Sequence, residues 1–370
     1  MGKIRLHILI ISSIAVFITL MGFLIFYPVP SPPVGAMGNA LSSLSLARRS
    51  KADTYSATLY QEAKSCYDSA MKYWKKENEK FIYSRNFGKV VMFAELSAKK
   101  ALAASDDSEN NTLSLNDEIK QKINDLNKVD ANLIRRFSVY PLSSEMRKNI
   151  SRGEMLLTEA EIALEKGDYV QAGEKINQSE ELLIPAYNYA DANLRSYFRS
   201  FPEWKKLVDT TIAESRVNQD YSIIVDKFSR KVFVYLNGEV QNEYSAELGR
   251  NWVGDKRIRG DKATPEGRYK ITKKFESDST TYYKALLLNY PNDEDTAVFE
   301  AAIEKGALPR SAKIGGMIEI HGNGGKGSDW TAGCIAITDR EMDSLFKIVK
   351  IGTPVTIVGS MRDLRHVLNR

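Results

Sequence analysis

The chain of 370 residues carries 52 Lys and Arg against 47 Asp and Glu, a net charge of +5 at pH 7, and 43% of its residues are hydrophobic. That is the composition of a folded protein, which excludes a disordered or fibrous chain, and a mild positive excess without a long basic run argues against a nucleic-acid binder. Two cysteines exclude a multi-disulfide scaffold, and three histidines, His7, His321 and His366, leave few ways to assemble a zinc centre or an imidazole-based active site.

Lys3 and Arg5 precede an almost unbroken apolar run, residues 8–27. As a helix it would span roughly 30 Å, one bilayer core. The sequence therefore predicts a transmembrane signal anchor over residues 1–27, with the basic end cytoplasmic and everything after it across the membrane. Residues 28–49 contain Pro28, Pro30, Pro32, Pro33 and Gly35 followed by small residues, and read as a Pro/Gly/Ser-rich linker that does not continue the helix.

Between residues 50 and 217 the apolar residues recur at steps of three and four. Tyr55, Leu59, Ala63, Cys66, Ala70 and Tyr73 form one stripe, which makes Cys66 a small core residue. Phe87, Val91, Ala94, Ala98 and Leu102 form a second, and Tyr169, Ala172, Ile176, Leu183 and Tyr187 a third. The region is predicted to be an array of four to six helices, a spacer or stalk or else a docking platform whose exposed faces could receive a partner protein; nothing in it looks catalytic.

Helical spacing stops near Asn218. Tyr221 to Asp226 and Lys231 to Leu236 are β-branched and aromatic stretches, and Asn237-Gly238 supplies a hairpin turn. Further strands are expected at residues 267–272, 284–290, 317–320, 334–337 and 354–358. One helix interrupts them: Thr338 and Glu341 form a capping box ahead of Met342, Leu345, Phe346 and Val349. The acidic stretch 292–295 reads as a solvated turn. Residues 361–370 are a charged tail in which His366 is a surface residue.

His321-Gly322 closes one predicted strand and Thr331-Ala332-Gly333-Cys334 opens the next, with a glycine-rich loop between them. Strand-end residues that bracket one loop can come within hydrogen-bond reach, as a thiol nucleophile and its base must. His7 falls in the apolar run and His366 in the tail, so His321 is the base available to Cys334. Gly333 lets a carbonyl oxygen approach the backbone N–H groups of Gly333 and Cys334, which together would make an oxyanion hole. From these residues alone, a catalytic cysteine and a buried structural one both remain open. A zinc site is not supported, because one histidine, one cysteine and Asp329 fall short of four ligands.

Two separated blocks then resemble the L,D-transpeptidase catalytic domain, also called the YkuD domain, over about residues 221–359. Upstream stands Thr264-Pro265-Glu266-Gly267 leading into a strand; downstream stand Ile320-His321-Gly322 and Thr331-Ala332-Gly333-Cys334-Ile335. The resemblance implies a mainly β domain in which Cys334 is the nucleophile and His321 the acid and base. It also implies that the Gly322 carbonyl orients the imidazole and that Gly333 and Cys334 supply the oxyanion hole. The substrate it implies is a peptidoglycan tetrapeptide stem, attacked at the carbonyl of its third residue, a diamino acid, and passed to an amine or to water, with no cofactor and no metal. Two common family residues are replaced, by Ala332 and Ala336. Lys326 or Arg310 would then have to contact the substrate carboxylate. Tyr282, Tyr283, Trp330 and Thr331 are expected along the substrate groove, the tyrosines on a segment, residues 275–313, that covers the cleft in the family.

The expected whole is thus a multidomain α plus β chain: transmembrane helix, linker, all-α helical array over residues 50–217, and a mainly β catalytic domain over residues 218–360 with one capping-box helix. Its expected place is the bacterial inner membrane as a single-pass protein, with the catalytic domain on the periplasmic side. The function expected is a cell-wall L,D-transpeptidase. The alternatives are an L,D-carboxypeptidase or amidase-type hydrolase of the same stems, and a catalytically silent envelope scaffold acting through its helices.

Overall fold

The computed structural model describes residues 2–26, 28–137 and 140–368. It divides into two compact units, Met1–Asn124 with Glu159–Glu174, and Asp125–Thr158 with Lys175–Arg370.

The first unit is helical, with α1 (Gly2–Phe26), α2 (Val34–Arg49), α3 (Ala52–Tyr55), α4 (Ala57–Asn78) and the first part of α5 (Gly88–Phe137). Its cores are built from small side chains. Met37, Ala40, Ala70, Phe87, Val90 and Ala94 pack together, as do Leu44, Ala47, Ala52, Ala63, Ala101 and Ala104. The buried face of α5 therefore runs Val90, Ala94, Ser97, Ala101, Ala104; of the stripe expected from hydrophobicity Phe87 and Ala94 are buried, while the later turns face the core one residue earlier and Leu102 is 45% exposed. A serine can join this seam because its hydroxyl is satisfied: Ser97 Oγ donates to the Ala63 carbonyl at 2.8 Å. Cys66 is half-buried and unpaired.

Two expectations fail in this unit. No helix among the described residues is long and apolar enough to cross a membrane. The single-pass anchor over residues 1–27, the inner-membrane localisation and the membrane contact built on it are therefore withdrawn. In α1 the apolar run is interrupted by Ser12, Ser13 and Thr19, whose hydroxyls bond back to helix carbonyls at 2.8 to 3.0 Å. The second failure is the non-helical reading of residues 34–49, which form α2. Its prolines precede the helix, and Met37, Ala40, Leu44 and Ala47 give it a buried face that offsets the cost of Gly35 and Gly38.

The second unit contains the end of α5, most of α6 (Ser144–Glu165) and α7 (Tyr169–Tyr197), α8 (Phe201–Asn218) and a sheet. The strands are β1 (Ser222–Asp226), β2 (Lys231–Leu236), β3 (Glu239–Ser245), β4 (Gly267–Glu276), β5 (Lys284–Leu288), β6 (Glu319–His321), β7 (Ile335–Ala336) and β8 (Pro354–Val358). Their order is β3-β2-β1-β8-β4-β5-β6-β7. The β1–β8 and β6–β7 pairs are parallel and the others antiparallel. Asn237 and Gly238 turn the β2–β3 hairpin with φ of 57° and 79°, which the hairpin's twist requires. Beyond β3, Glu247 bridges Ala336 and Gly249 bridges Thr331, so the two ends of the sheet curl toward each other. Alternate residues of the strands fill one core, among them Ile223, Val225, Val232, Val234, Ile271, Leu286, Ile320, Ile335, Val355 and Ile357.

Helices α9 (Asp293–Glu304), α10 (Asp339–Ile348) and α11 (Leu364–Leu368) complete the unit, where one helix was expected. The stretch read as a solvated turn is the start of α9: Asn292 and Asp295 form a reciprocal capping box. The capping box of Thr338 and Glu341 opens α10.

The Thr264-Pro265-Glu266-Gly267 block is held by a buried network. Lys227 Nζ, fully buried, donates to the carbonyls of Gly254 and Thr264 at 2.7 and 2.8 Å and to Glu266 Oε1 at 2.7 Å. Glu266 also accepts from Tyr197 Oη at 2.6 Å and Trp204 Nε1 at 2.9 Å. The Thr264 hydroxyl accepts the Gly249 N–H at 3.0 Å.

Candidate active site

His321 ends β6 and Cys334 immediately precedes β7. The parallel register pairs Ile320 with Ile335 and His321 with Ala336. Ile320 and Ile335 face the core, so Glu319, His321, Cys334 and Ala336 share the opposite face of the sheet. The sheet thus brings the predicted nucleophile and base onto adjacent strands with their side chains on one side.

The imidazole is fully buried. Its Nδ1 lies 2.6 Å from the Gly322 carbonyl oxygen; a carbonyl can only accept, so Nδ1 carries the proton and Nε2 the lone pair. Nε2 has no hydrogen-bond partner. The Tyr282 ring stacks on the imidazole at 3.5 Å between centroids and 9° between planes, and the Trp330 indole meets it edge-on at 5.9 Å. Burial pushes the imidazole pKa down to about 4; the Gly322 carbonyl opposes this and the Lys326 charge adds to it.

Cys334 is half-buried, and its Sγ donates to the Met317 carbonyl at 3.5 Å. Burial pushes the thiol up to about 11; the Glu319 backbone lowers it, the Glu319 carboxylate raises it and Lys256 lowers it. At neutral pH both side chains are therefore uncharged; they share one face of the sheet, but no hydrogen bond joins the thiol, which turns to the Met317 carbonyl, to the imidazole Nε2.

Gly333 adopts φ of 136°, and a Cβ there would come 2.6 Å from the Ala263 carbonyl oxygen, so only glycine fits. Its N–H donates to the Thr331 hydroxyl at 3.1 Å, and that hydroxyl donates to the Cys334 carbonyl at 2.8 Å. Thr331 is thus a buried brace of the turn, and the Gly333 N–H, expected in the oxyanion hole, is engaged in this conformation.

The other candidates separate. Tyr282 and Trp330 lie against the imidazole. Tyr283 turns away, its hydroxyl on Asp343 at 3.1 and 3.2 Å. Lys326 stacks over Trp330 at 3.3 Å from the ring centroid. Arg310 is exposed in the segment after α9 and is not among the groups acting on the thiol or the imidazole. Ala336 is fully buried. Sequence reasoning missed three residues. Glu247 fixes the glycine-rich loop by accepting from Trp330 Nε1 at 2.7 Å and Gly327 N at 2.6 Å. Lys256 is a buried cation whose charge reaches the thiol, and Glu319 is a buried carboxylate beside it. Only Glu319 had a signal: it stands two residues before His321 in a strand, hence on the same face. Among the described residues no cluster of His, Cys, Asp and Glu could hold a metal ion.

Residues 220–357 match the family described as the YkuD L,D-transpeptidase catalytic domain. YqjB of Bacillus subtilis (strain 168), provisionally named an L,D-transpeptidase, is 24% identical over 156 residues, 42% of this chain and 81% of its own length. Among solved structures, Bd1075 of Bdellovibrio bacteriovorus is 23% identical over 41% of this chain and 52% of that chain, with a TM-score of 0.30. An L,D-transpeptidase from Mycobacterium smegmatis is 13% identical over 38% of this chain and 58% of that one, with a TM-score of 0.25. The chain thus spans little more than half the length of these solved chains.

Proposed function

We propose, from the premise that residues 220–357 are an L,D-transpeptidase catalytic domain, that this domain transfers peptidoglycan stem peptides through a thioester on Cys334. The observation that carries the reading is the single sheet face shared by Cys334 and His321, with Nδ1 locked on the Gly322 carbonyl and Nε2 left without a partner. Cys334 Sγ attacks the carbonyl of the third stem residue as its proton passes to His321 Nε2. The sulfur–carbon bond forms, the bond to the terminal residue breaks, and the imidazolium returns the proton to the departing amine. An incoming amine then attacks the thioester carbonyl, giving up its proton to His321, and the freed sulfur regains a proton. The Cys334 N–H serves the developing oxyanion; the Gly333 N–H joins it once released from Thr331. Tyr282 and Trp330 form the groove around the imidazole.

The test mixes the full chain with disaccharide-tetrapeptide fragments and follows intact-protein and product masses, with Cys334→Ala as control. An acyl adduct that is absent in Cys334→Ala and resolves into a stem-to-stem dimer is expected. A shortened stem without dimer would replace transfer by hydrolysis at the same thiol. Neither adduct nor product would overturn the reading.

A further inference from the structure

The cross-strand neighbour of the thiol is a carboxylate. The β6–β7 register, carried one step back from Ile320 and Ile335, sets Glu319 opposite Cys334, with both side chains on the imidazole's face of the sheet. The Glu319 charge is felt by both the Cys334 thiol and the Tyr282 hydroxyl, each of which it raises. Glu319 is 7% exposed, yet no hydrogen bond or ion pair engages its side chain among the described residues. Other buried carboxylates of the same unit are satisfied: Glu266 by Lys227, Tyr197 and Trp204, and Glu247 by Trp330 and Gly327. The cation nearest in effect to the thiol, Lys256, already holds Asp261 at 2.7 Å and the Ile258 carbonyl at 3.2 Å.

Burial raises the Glu319 carboxyl above its ordinary value, so its ionised form is favoured once a cation reaches it, and beside a nucleophile that cation can be brought by the substrate. We infer that Glu319 is a specificity-determining residue that holds a primary ammonium group of the substrate beside the Cys334 thiol. The inference rests on the acyl-transfer reading above and deepens it. Two sources of ammonium fit the chemistry: the side chain of the diamino acid being attacked, and the amine that resolves the thioester. In either case the ammonium stays intact while it is bound to Glu319. If it is the acceptor, it first passes one proton to His321, which sheds it to solvent; the lone pair of the resulting amine then attacks, and its second proton passes through His321 to the Cys334 sulfur as the carbon–sulfur bond breaks.

The experiment uses the full chain, its Glu319→Gln variant and the charge-retaining Glu319→Asp, each checked for an unchanged thermal midpoint. One arm measures formation of the Cys334 adduct from tetrapeptide stems whose side-chain amine is free or N-acetylated. The other adds free or N-acetylated amine-bearing stem to the acyl-enzyme and measures transfer against hydrolysis. Glu319→Gln is expected to cut the preference for the free amine at least tenfold in one arm, which identifies the source, with Glu319→Asp restoring much of it. Equal losses for free and acetylated substrates in both arms would overturn the inference while leaving acyl transfer intact. Absence of any adduct in the unmodified chain with every substrate would instead overturn the acyl-transfer reading, and the inference with it.

Discussion

Two short stretches of the second unit, residues 264–267 and residues 319–334, carry the two halves of one family signature and treat their polar groups in opposite ways. In the first, Glu266 takes hydrogen bonds from Lys227, Tyr197 and Trp204, and the Thr264 hydroxyl is used by Gly249. In the second, His321 Nε2 has no partner, no hydrogen bond or ion pair engages the Glu319 side chain among the described residues, and the thiol's hydrogen bond is a long one to a carbonyl. A motif's residues need not share a role. Those with saturated hydrogen bonding hold the sheet, and those left unsaturated are the ones the proposed acyl transfer uses.

Substitutions can break or sharpen this contrast. His321→Ala should remove the proton acceptor and cut the rate of adduct formation by about a thousandfold, within the range of general-base losses, while the thermal midpoint moves little. Its pH counterpart follows from signs. The imidazole is neutral above its depressed value of about 4 and the thiol is protonated below about 11, so the competent pair exists between them. The pH profile of kcat/KM should therefore stay level from about pH 5 to 9, whereas an acid limb near 6.5 would show that the imidazole is solvated in the working enzyme.

Lys227→Met should do the reverse. It strands Glu266 with two neutral donors and should cost about 3 to 5 kcal/mol, read as a lower denaturant midpoint with unchanged slope. Gly333→Ala tests the boundary between the two stretches. A Cβ forced toward the Ala263 carbonyl at a positive φ should cost about 1 to 3 kcal/mol and also slow the adduct, because the strain is relieved by moving Cys334. Smallest is Thr338→Ala, which removes the α10 cap for about 1 kcal/mol of stability without changing the adduct rate.

The chain announced where its strands end more clearly than how its helices pack. That His321 closes β6 and Cys334 precedes β7 was legible because strand alternation and a glycine-rich loop fix where such residues must lie. The Asn237-Gly238 turn and the Thr338–Glu341 cap are likewise local and self-contained. What stayed hidden depends on partners distant in sequence. The burial of α2 draws on side chains in α4, in α5 and just before α5, as distant as Ala70, Phe87 and Ala101, so its glycines outweighed its stripe when read alone. The phase of α5 is set by a serine whose hydrogen bond lies on another helix. The start of α9 was legible in principle, since Asn292 and Asp295 have capping-box spacing, but acidity was read as solvation. The isolation of Glu319 belongs in the same class: a missing counter-charge is visible only when every neighbour is placed.

The tyrosine lying flat on the imidazole makes the site observable without substrate. Protons at the face of an aromatic ring resonate upfield, so the carbon-bound protons of His321 should be displaced from the positions of an ordinary buried histidine. With only His7 and His366 as other imidazoles in the chain, the signal is simple to assign. If a stem peptide moves Tyr282 aside, that displacement collapses, and the same resonance reports both arrival of the peptide and the moment the imidazole is uncovered.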